Sequence, residues 1–198
     1  MDFGICLPAK PDTCVRQAAL AESLGFSHVW IADSQLMAGD VYVCLALIAA
    51  STQRIKLGTG VAIAGTRIAP VTAGALGSLN QLAPGRVVCG IGTGNTARSA
   101  MGLPPYKLRD LREHVTVVRG LLSGGDVEYR ENDAHRRISF FPSTDGVRQS
   151  ARADSDLHCR ESAASDGSSW GTGGWFHNLE MQLGRSMEQI LAARPSQR

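Results

Sequence analysis

Four times in the first two-thirds of this chain, a short apolar run is followed by a longer segment with helical periodicity. The runs "FGICL" (3–7), "SHVWIAD" (27–33), "IKLGTGVAIA" (55–64) and "RVVCGIG" (86–92) have the length and the Val/Ile content of strands. After the first, residues 13–24 place Val15, Ala18, Ala19, Ala21 and Leu24 on one broad face, with Gly25 as a stop. Further helices are predicted over 41–52, over 70–85 between Pro70 and Pro84–Gly85, and over 107–122, where Leu108, Leu111, Val115, Val118 and Leu122 form a stripe. Successive β-α units require parallel strands joined by right-handed crossovers, with the helices outside. The near-continuous apolar content predicts strands buried on both faces. Two architectures satisfy this pattern, an open doubly wound sheet and a (β/α) barrel, and the pattern alone does not separate them.

Composition narrows the function classes. With 198 residues, 43% of them hydrophobic, the chain is long enough to bury one substantial core. The net charge of +2 is not gathered into a basic stripe with interleaved aromatics, so no nucleic-acid surface is expected. The opening "MDFGICLPAK" lacks the basic start and apolar core of a secretory signal. The longest apolar stretch, "VYVCLALIAA", is half of what a membrane span needs. The five cysteines form no CxxC pair and no metal-like spacing with His, and no metal site is expected. Cys6, Cys44 and Cys89 lie among apolar residues and read as reduced, buried thiols, which fits a cytoplasmic location.

Chemistry is best sought where the strands end. "RVVCGIGTGNTA" (86–97) carries Gly90, Gly92 and Gly94, but Asn95 falls where a dinucleotide fingerprint needs its third glycine, and no Gly-Lys-Ser/Thr follows. It is either a plain β-α turn or a loop along which backbone passes close to a flat ligand. The second strand ends at Asp33-Ser34-Gln35, and the third carries Gly58-Thr59-Gly60 inside an otherwise good strand, where glycine marks a bulge or a close approach. Sites of parallel α/β folds are built at this end of the strands.

The stretches "FSHVWIADSQL", "IKLGTGVAIAGTRIAPVTAGALGSLNQLAPGRVVCGIGTGN" and "GLPPYKLRDLREHVTVVRGLLSGGDVEYR" resemble the bacterial luciferase-like flavin- or F420-dependent oxidoreductases. In flavour they are similar to the branch that includes methylenetetrahydromethanopterin reductases, and the resemblance covers roughly residues 2–142. It implies a (β/α)8 TIM-type barrel with F420 or FMN across its carboxyl-end mouth. It places a ring-backing bulge at Gly58, Thr59 and Gly60, and a cofactor-lining loop at Gly92, Thr93, Gly94 and Asn95. Asp33 would be the catalytic candidate, and Ser34 would face the ring where many relatives carry histidine. The implied chemistry is hydride transfer, or flavin reduction followed by oxygen activation, on a small organic substrate.

A full barrel takes about 250 residues. This chain is expected to supply about four β-α units over 1–142, ending in a hairpin-like "VEYRENDAHRRISFFP". An irregular or disordered segment is expected over 143–178 and a short helix over 179–198, with Leu183, Met187, Ile190 and Leu191 on one face. Two origins for the tail stay open: a reading-frame shift near Asp145-Gly146, or a short paralogue with a divergent end. Open apolar edges at the first and fourth strands predict a homo-oligomer. Function divides likewise, between a luciferase-like oxidoreductase and a non-catalytic half-barrel that binds a flavin or pairs with another subunit.

Overall fold

A computed structural model describes residues 2–141 and 159–161. Four parallel strands, β1 (Gly4–Leu7), β2 (His28–Ile31), β3 (Lys56–Ile63) and β4 (Val87–Gly92), alternate with helices α1 (Pro11–Ser23), α2 (Val41–Ser51) and α3 (Ala69–Leu82). A short helix α4 (Asn95–Ala100) and the longer α5 (Leu108–Leu122) follow β4. An antiparallel hairpin, β5 (Val127–Glu131) with β6 (Ala134–Ile138), turns at Asn132, whose φ of 53° suits such a turn. The sheet is completed by β7 (Cys159–Glu161), giving the order β1-β2-β3-β4-β7.

Several helix boundaries have a local cause. Pro11 occupies the first turn of α1, where its missing N–H leaves no helical bond unmade, and Gly25 with φ of 85° ends the helix. α2 starts at Asp40, whose carboxylate accepts the N–H groups of Tyr42 and Val43 at 2.8 and 3.1 Å. α3 again opens with proline in its first turn. Its last turn runs into Ala83-Pro84-Gly85, and the Gly85 φ of 69° turns the chain into β4.

Register explains the core. Ile5, Val29, Leu57 and Val87 lie side by side across the sheet, and so do Leu7, Ile31, Thr59 and Cys89. All eight are buried on the side that carries the helices. The alternate row, Cys6, Trp30, Gly58 and Val88, points the other way, and three of its members are only half-buried. Burial on both faces is therefore not what these strands show. In β1, β2 and most of β4 the burial alternates with period two, which the continuous Val/Ile/Cys lettering conceals, while the bulged β3 departs from it.

Two long-range ties close the shell. The Glu22 carboxylate, at the end of α1, accepts the backbone N–H groups of Gln53, Arg54 and Ile55 at 3.0, 2.6 and 2.8 Å, and so caps the entry to β3. Burial opposes its ionisation, but these donors outweigh it and hold its pKa below the usual value. Arg86 donates to Ala49 O, Thr52 Oγ1 and Ile55 O at 2.9, 3.0 and 3.1 Å, joining the end of α2 to the start of β3.

Several expectations need correction. β4 is not an open edge, since residues 159–161 pair with Cys89–Ile91 in parallel; β1 ends the sheet on the other side. Those three residues fall within the 143–178 stretch, while the rest of that stretch and the helix expected over 179–198 lie outside the described residues. Cys6 is half-exposed rather than buried, and Cys14 joins Cys44 and Cys89 as a buried thiol. Desolvation raises the thiol pKa of Cys6, Cys14 and Cys44, the last to about 12, which keeps these sulfurs protonated and unreactive at neutral pH.

Candidate cofactor site at the strand ends

β3 and β4 pair in step from Leu57–Val87 to Thr59–Cys89, and resume at Ala62–Ile91. Two residues of β3, Gly60 and Val61, thus stand opposite Gly90 alone, so β3 carries a bulge, and the Gly60–Val61 peptide is cis. Gly60 and Val61 are half-exposed while Gly58, Thr59, Ala62 and Ile63 around them are buried. The sheet therefore offers a short half-exposed strip at the bulge, bare of side chain at Gly60.

The bulge is held from three sides. Thr59 is fully buried, and its hydroxyl donates to Gly90 O at 2.7 Å, bridging the point where the ladder breaks. The indole of Trp30 lies close beside it: a Cβ on Gly58 would sit 2.6 Å from Trp30 Cζ3, and one on Gly60 3.0 Å from Trp30 Cβ. Trp30 is itself stacked on the His28 ring, with centroids 5.7 Å apart. At the end of the strand, Asp33 Oδ2 accepts the Ile63 N–H at 3.0 Å, while Oδ1 accepts the Gln35 side-chain amide. Asp33 is 4% exposed; burial pushes its carboxyl above the usual value, and the Ile63 and Gln35 donors offset only part of that. Ser34 is also buried, and its carbonyl caps the following turn by accepting from Met37 and Ala38.

The glycine turn after β4 resolves into a strand-to-helix junction. Gly94 has φ of 75° and immediately precedes α4, a helix whose six residues are too few to display a periodicity in the sequence. Ile63 at the end of β3 packs under this turn so closely that a Cβ on Gly94 would lie 2.1 Å from Ile63 Cγ2. Thr93 and Gly94 are half-exposed and Asn95 is exposed, whereas Gly92 is buried in the strand. Arg98 of α4 ties the neighbouring loops together, donating to Pro104 O at 2.6 Å and Gly65 O at 3.0 Å while lying over the Tyr106 ring. On the other flank, Arg67 pairs with Asp40 and stacks on Tyr42. Burial alone would raise the Asp40 pKa, but the Val43 N–H and Arg67 lower it below the usual carboxylate value.

Of the residues singled out by sequence, then, Gly58, Thr59, Gly60, Gly92, Thr93 and Gly94 do gather around the bulge and the adjoining turn. Asp33 and Ser34 are brought to the same end of the sheet, behind it. Glu22, Arg86, Arg98 and Trp30, which shape the site or its supports, carry no local signal beyond being polar or apolar in a plausible element.

A separate cleft of about 710 Å³ opens between the 65–69 loop, α5 and the hairpin, with Tyr106, Arg109, Glu113, His114, Tyr129 and Arg130 in its walls. None of the sequence-predicted site residues lines it. His114 is 6% exposed, its Nε2 is buried with no hydrogen-bond partner among the described residues, and burial lowers its pKa to about 4. Among the described residues no cluster of His, Cys, Asp and Glu could hold a metal ion, and no helix is long and apolar enough to cross a membrane.

Sequential parallel strands, outer helices and a bulged third strand define part of a β/α barrel. A family profile described as luciferase-like monooxygenase matches residues 1–185, and the chain belongs to that family. It is 41% identical over 131 residues to a 5,10-methylenetetrahydromethanopterin reductase of Methanolobus tindarius, covering 64% of this chain and 40% of the relative. The structure is similar to that of the coenzyme F420-dependent tetrahydromethanopterin reductase from Methanopyrus kandleri, with a TM-score of 0.66 and 29% identity, over 81% of this chain and 49% of that one. It also shares the fold of the oxygenating constituent of 3,6-diketocamphane monooxygenase from Pseudomonas putida, solved with FMN, with a TM-score of 0.60, 19% identity, and coverage of 71% and 44%. The chain thus spans about half the length of the relatives it matches, or less.

Proposed function

We propose that this chain provides the ring-facing half of an F420- or FMN-dependent oxidoreductase acting on a small organic substrate. The observation that carries the reading is the bulge: in a stretch of buried strand, Gly60 and Val61 are open, and Gly60 presents backbone rather than a reactive side chain. The described residues fit the planar part of such a cofactor, because the half-exposed backbone of Gly60 and Val61 offers it a surface without a charged or reactive side chain; glycine at 60 is itself required by Trp30, whose Cβ an added Cβ would approach to 3.0 Å. When bound, the cofactor would supply hydride transfer, or oxygen activation in the case of FMN. The protein's share is orientation: Gly60 and Val61 back the ring, Gly92, Thr93, Gly94 and Asn95 wall one side, and Thr59 fixes the bulge from within. Ser34, buried at the same strand end, shapes the turn after β2 through its carbonyl.

A fluorescence titration of the folded protein with F420 and with FMN tests the reading. Saturable micromolar binding of one of them is expected, and it names the cofactor. A folded protein that binds neither removes the oxidoreductase reading and leaves the second one, a non-catalytic half-barrel that pairs with another subunit.

We also infer a homo-oligomer. α2 is apolar nearly all round, and Val43 and Leu47 on its outer face are 51% and 40% exposed. Val71 on the adjacent α3 is 49% exposed, so both of these neighbouring helices turn apolar side chains to solvent. Light scattering on the purified chain should return at least twice the 21.0 kDa monomer mass. A concentration-independent monomer rules this out.

A further inference from the structure

We propose that Asp33 is a positioning residue, not an acid or base: its carboxylate sets the end of β3, and through Ile63 it sets both the bulge and the glycine turn. The inference rests on the site described above being the ring-facing site. Both carboxylate oxygens are already engaged, Oδ2 by the Ile63 N–H at 3.0 Å and Oδ1 by the Gln35 amide, and the residue is 4% exposed. A group that exchanges protons with a substrate needs an accessible lone pair and a path to the reacting atom. Both acceptors of Asp33 serve the fold instead.

The consequence of that hold runs through one side chain. Ile63 pairs with Gly92 in the β3–β4 ladder and lies directly under Gly94, where a Cβ would come within 2.1 Å of its Cγ2. The Ile63 carbonyl in turn accepts from the Thr66 hydroxyl at 2.8 Å, at the start of the loop leading to α3. Fixing the Ile63 N–H therefore fixes the exit from the bulge, the floor of the Gly92–Asn95 turn and the start of the next loop. Burial makes this hold strong, because the Ile63 N–H would otherwise be a buried donor with no acceptor.

Gln35 gives the discriminating variant. Its Oε1 is buried and has no partner among the described residues. In Asp33→Asn, the retained oxygen still accepts from Ile63 N–H, and the new amide can donate to Gln35 Oε1 once the glutamine amide is turned over. Charge is lost and the network is kept. Asp33→Ala loses both. Gln35→Ala, which leaves the Ile63 bond in place, serves where Asp33→Ala does not fold.

Two readouts decide it on the full chain: hydrogen exchange at the Ile63 amide, and affinity for F420 and FMN. Expected are a protected Ile63 amide and affinity within about threefold of the parent in Asp33→Asn and in Gln35→Ala. In Asp33→Ala the amide is expected to lose protection, with affinity down by about tenfold or more. The proposal is overturned if Ile63 stays protected in Asp33→Ala. It is equally overturned if Asp33→Asn or Gln35→Ala exposes that amide. Should the parent protein bind neither cofactor, the oxidoreductase reading falls, and the exchange measurement still decides what Asp33 does. If Asp33→Asn binds cofactor normally but shifts the pH profile of reduction, proton chemistry at Asp33 replaces positioning.

Discussion

Replacing Gly94 by alanine is expected to destabilise the protein by about 3 kcal/mol, as the sum of two costs. The first is conformational: with φ of 75°, Gly94 occupies the left-handed region, which costs a residue with a Cβ about 1–2 kcal/mol. The second is steric, since the added Cβ would lie 2.1 Å from Ile63 Cγ2, inside the closest approach real carbons make. Overpacking of this kind costs about 1–3 kcal/mol. A double-mutant cycle separates the two. Pairing Gly94→Ala with Ile63→Ala should relieve the steric part and leave the conformational part, so the two changes should couple by at least about 1 kcal/mol in urea unfolding. Additive effects would mean that Ile63 does not support the turn, and would weaken the chain of contacts by which Asp33 acts.

His114 sets the second large effect, on the response to acid. Buried in α5, it keeps its imidazole neutral down to a pKa of about 4, against about 6.5 in an unfolded chain. Between those values the unfolded state binds a proton that the native state refuses, so stability rises with pH across this window and is lost on acidification. The full difference amounts to about 3 kcal/mol by pH 4. Glu22 and Asp40, whose native pKa values are lowered, also lose their contributions in acid, once the pH falls through those values. Asp33 acts in the opposite sense, its native carboxyl taking up a proton more readily than the unfolded one. These groups are common to the parent and to His114→Leu, so the difference between the two proteins isolates the histidine. Between pH 7 and pH 4.5, the urea midpoint of the variant should fall less than that of the parent. A parent and variant with equal acid sensitivity would mean that His114 is protonated in the folded protein, with the acidic residues of its cleft, Asp110 and Glu113, as counter-ions.

How much of the fold and the site is legible in the letters depends on the reach of each interaction. The β-α alternation, the break at Pro84-Gly85 and the stripe of α5 are local patterns, and they hold at their expected places to within a few residues. The glycines of β3 are legible as a bulge because glycine weakens a Val/Ile strand unless the backbone leaves the ladder or is closely approached there. Asp33 illustrates the limit. A carboxylate after "VWIA" looks solvent-facing, and only the folded register shows that an N–H thirty positions later consumes it. Glu22 is a similar case, a polar-face residue of a helix whose acceptors serve Gln53 to Ile55. The pairing of residues 159–161 with β4 is invisible for a different reason, because three residues carry no periodicity at all. Trp30 lies between these extremes: its strand is plain in the sequence, but not that its ring covers Gly58 in the neighbouring strand.

The strand order of the main sheet has a kinetic consequence. β1, β2, β3 and β4 stand in space in the order in which they are made, so each new strand finds its partner one helix back along the chain. Ring closure over so short a separation costs little entropy, and doubling it would add only about 0.6 kcal/mol. A chain emerging from the ribosome can therefore add its strands one at a time, each upon a template already formed. The bulge and the turn it supports belong to the third and fourth of these additions, so the surface proposed to face a cofactor is complete by the end of α4 at Ala100. In such a scheme the recognition surface is an early product of synthesis, and it waits for whatever is to close over it.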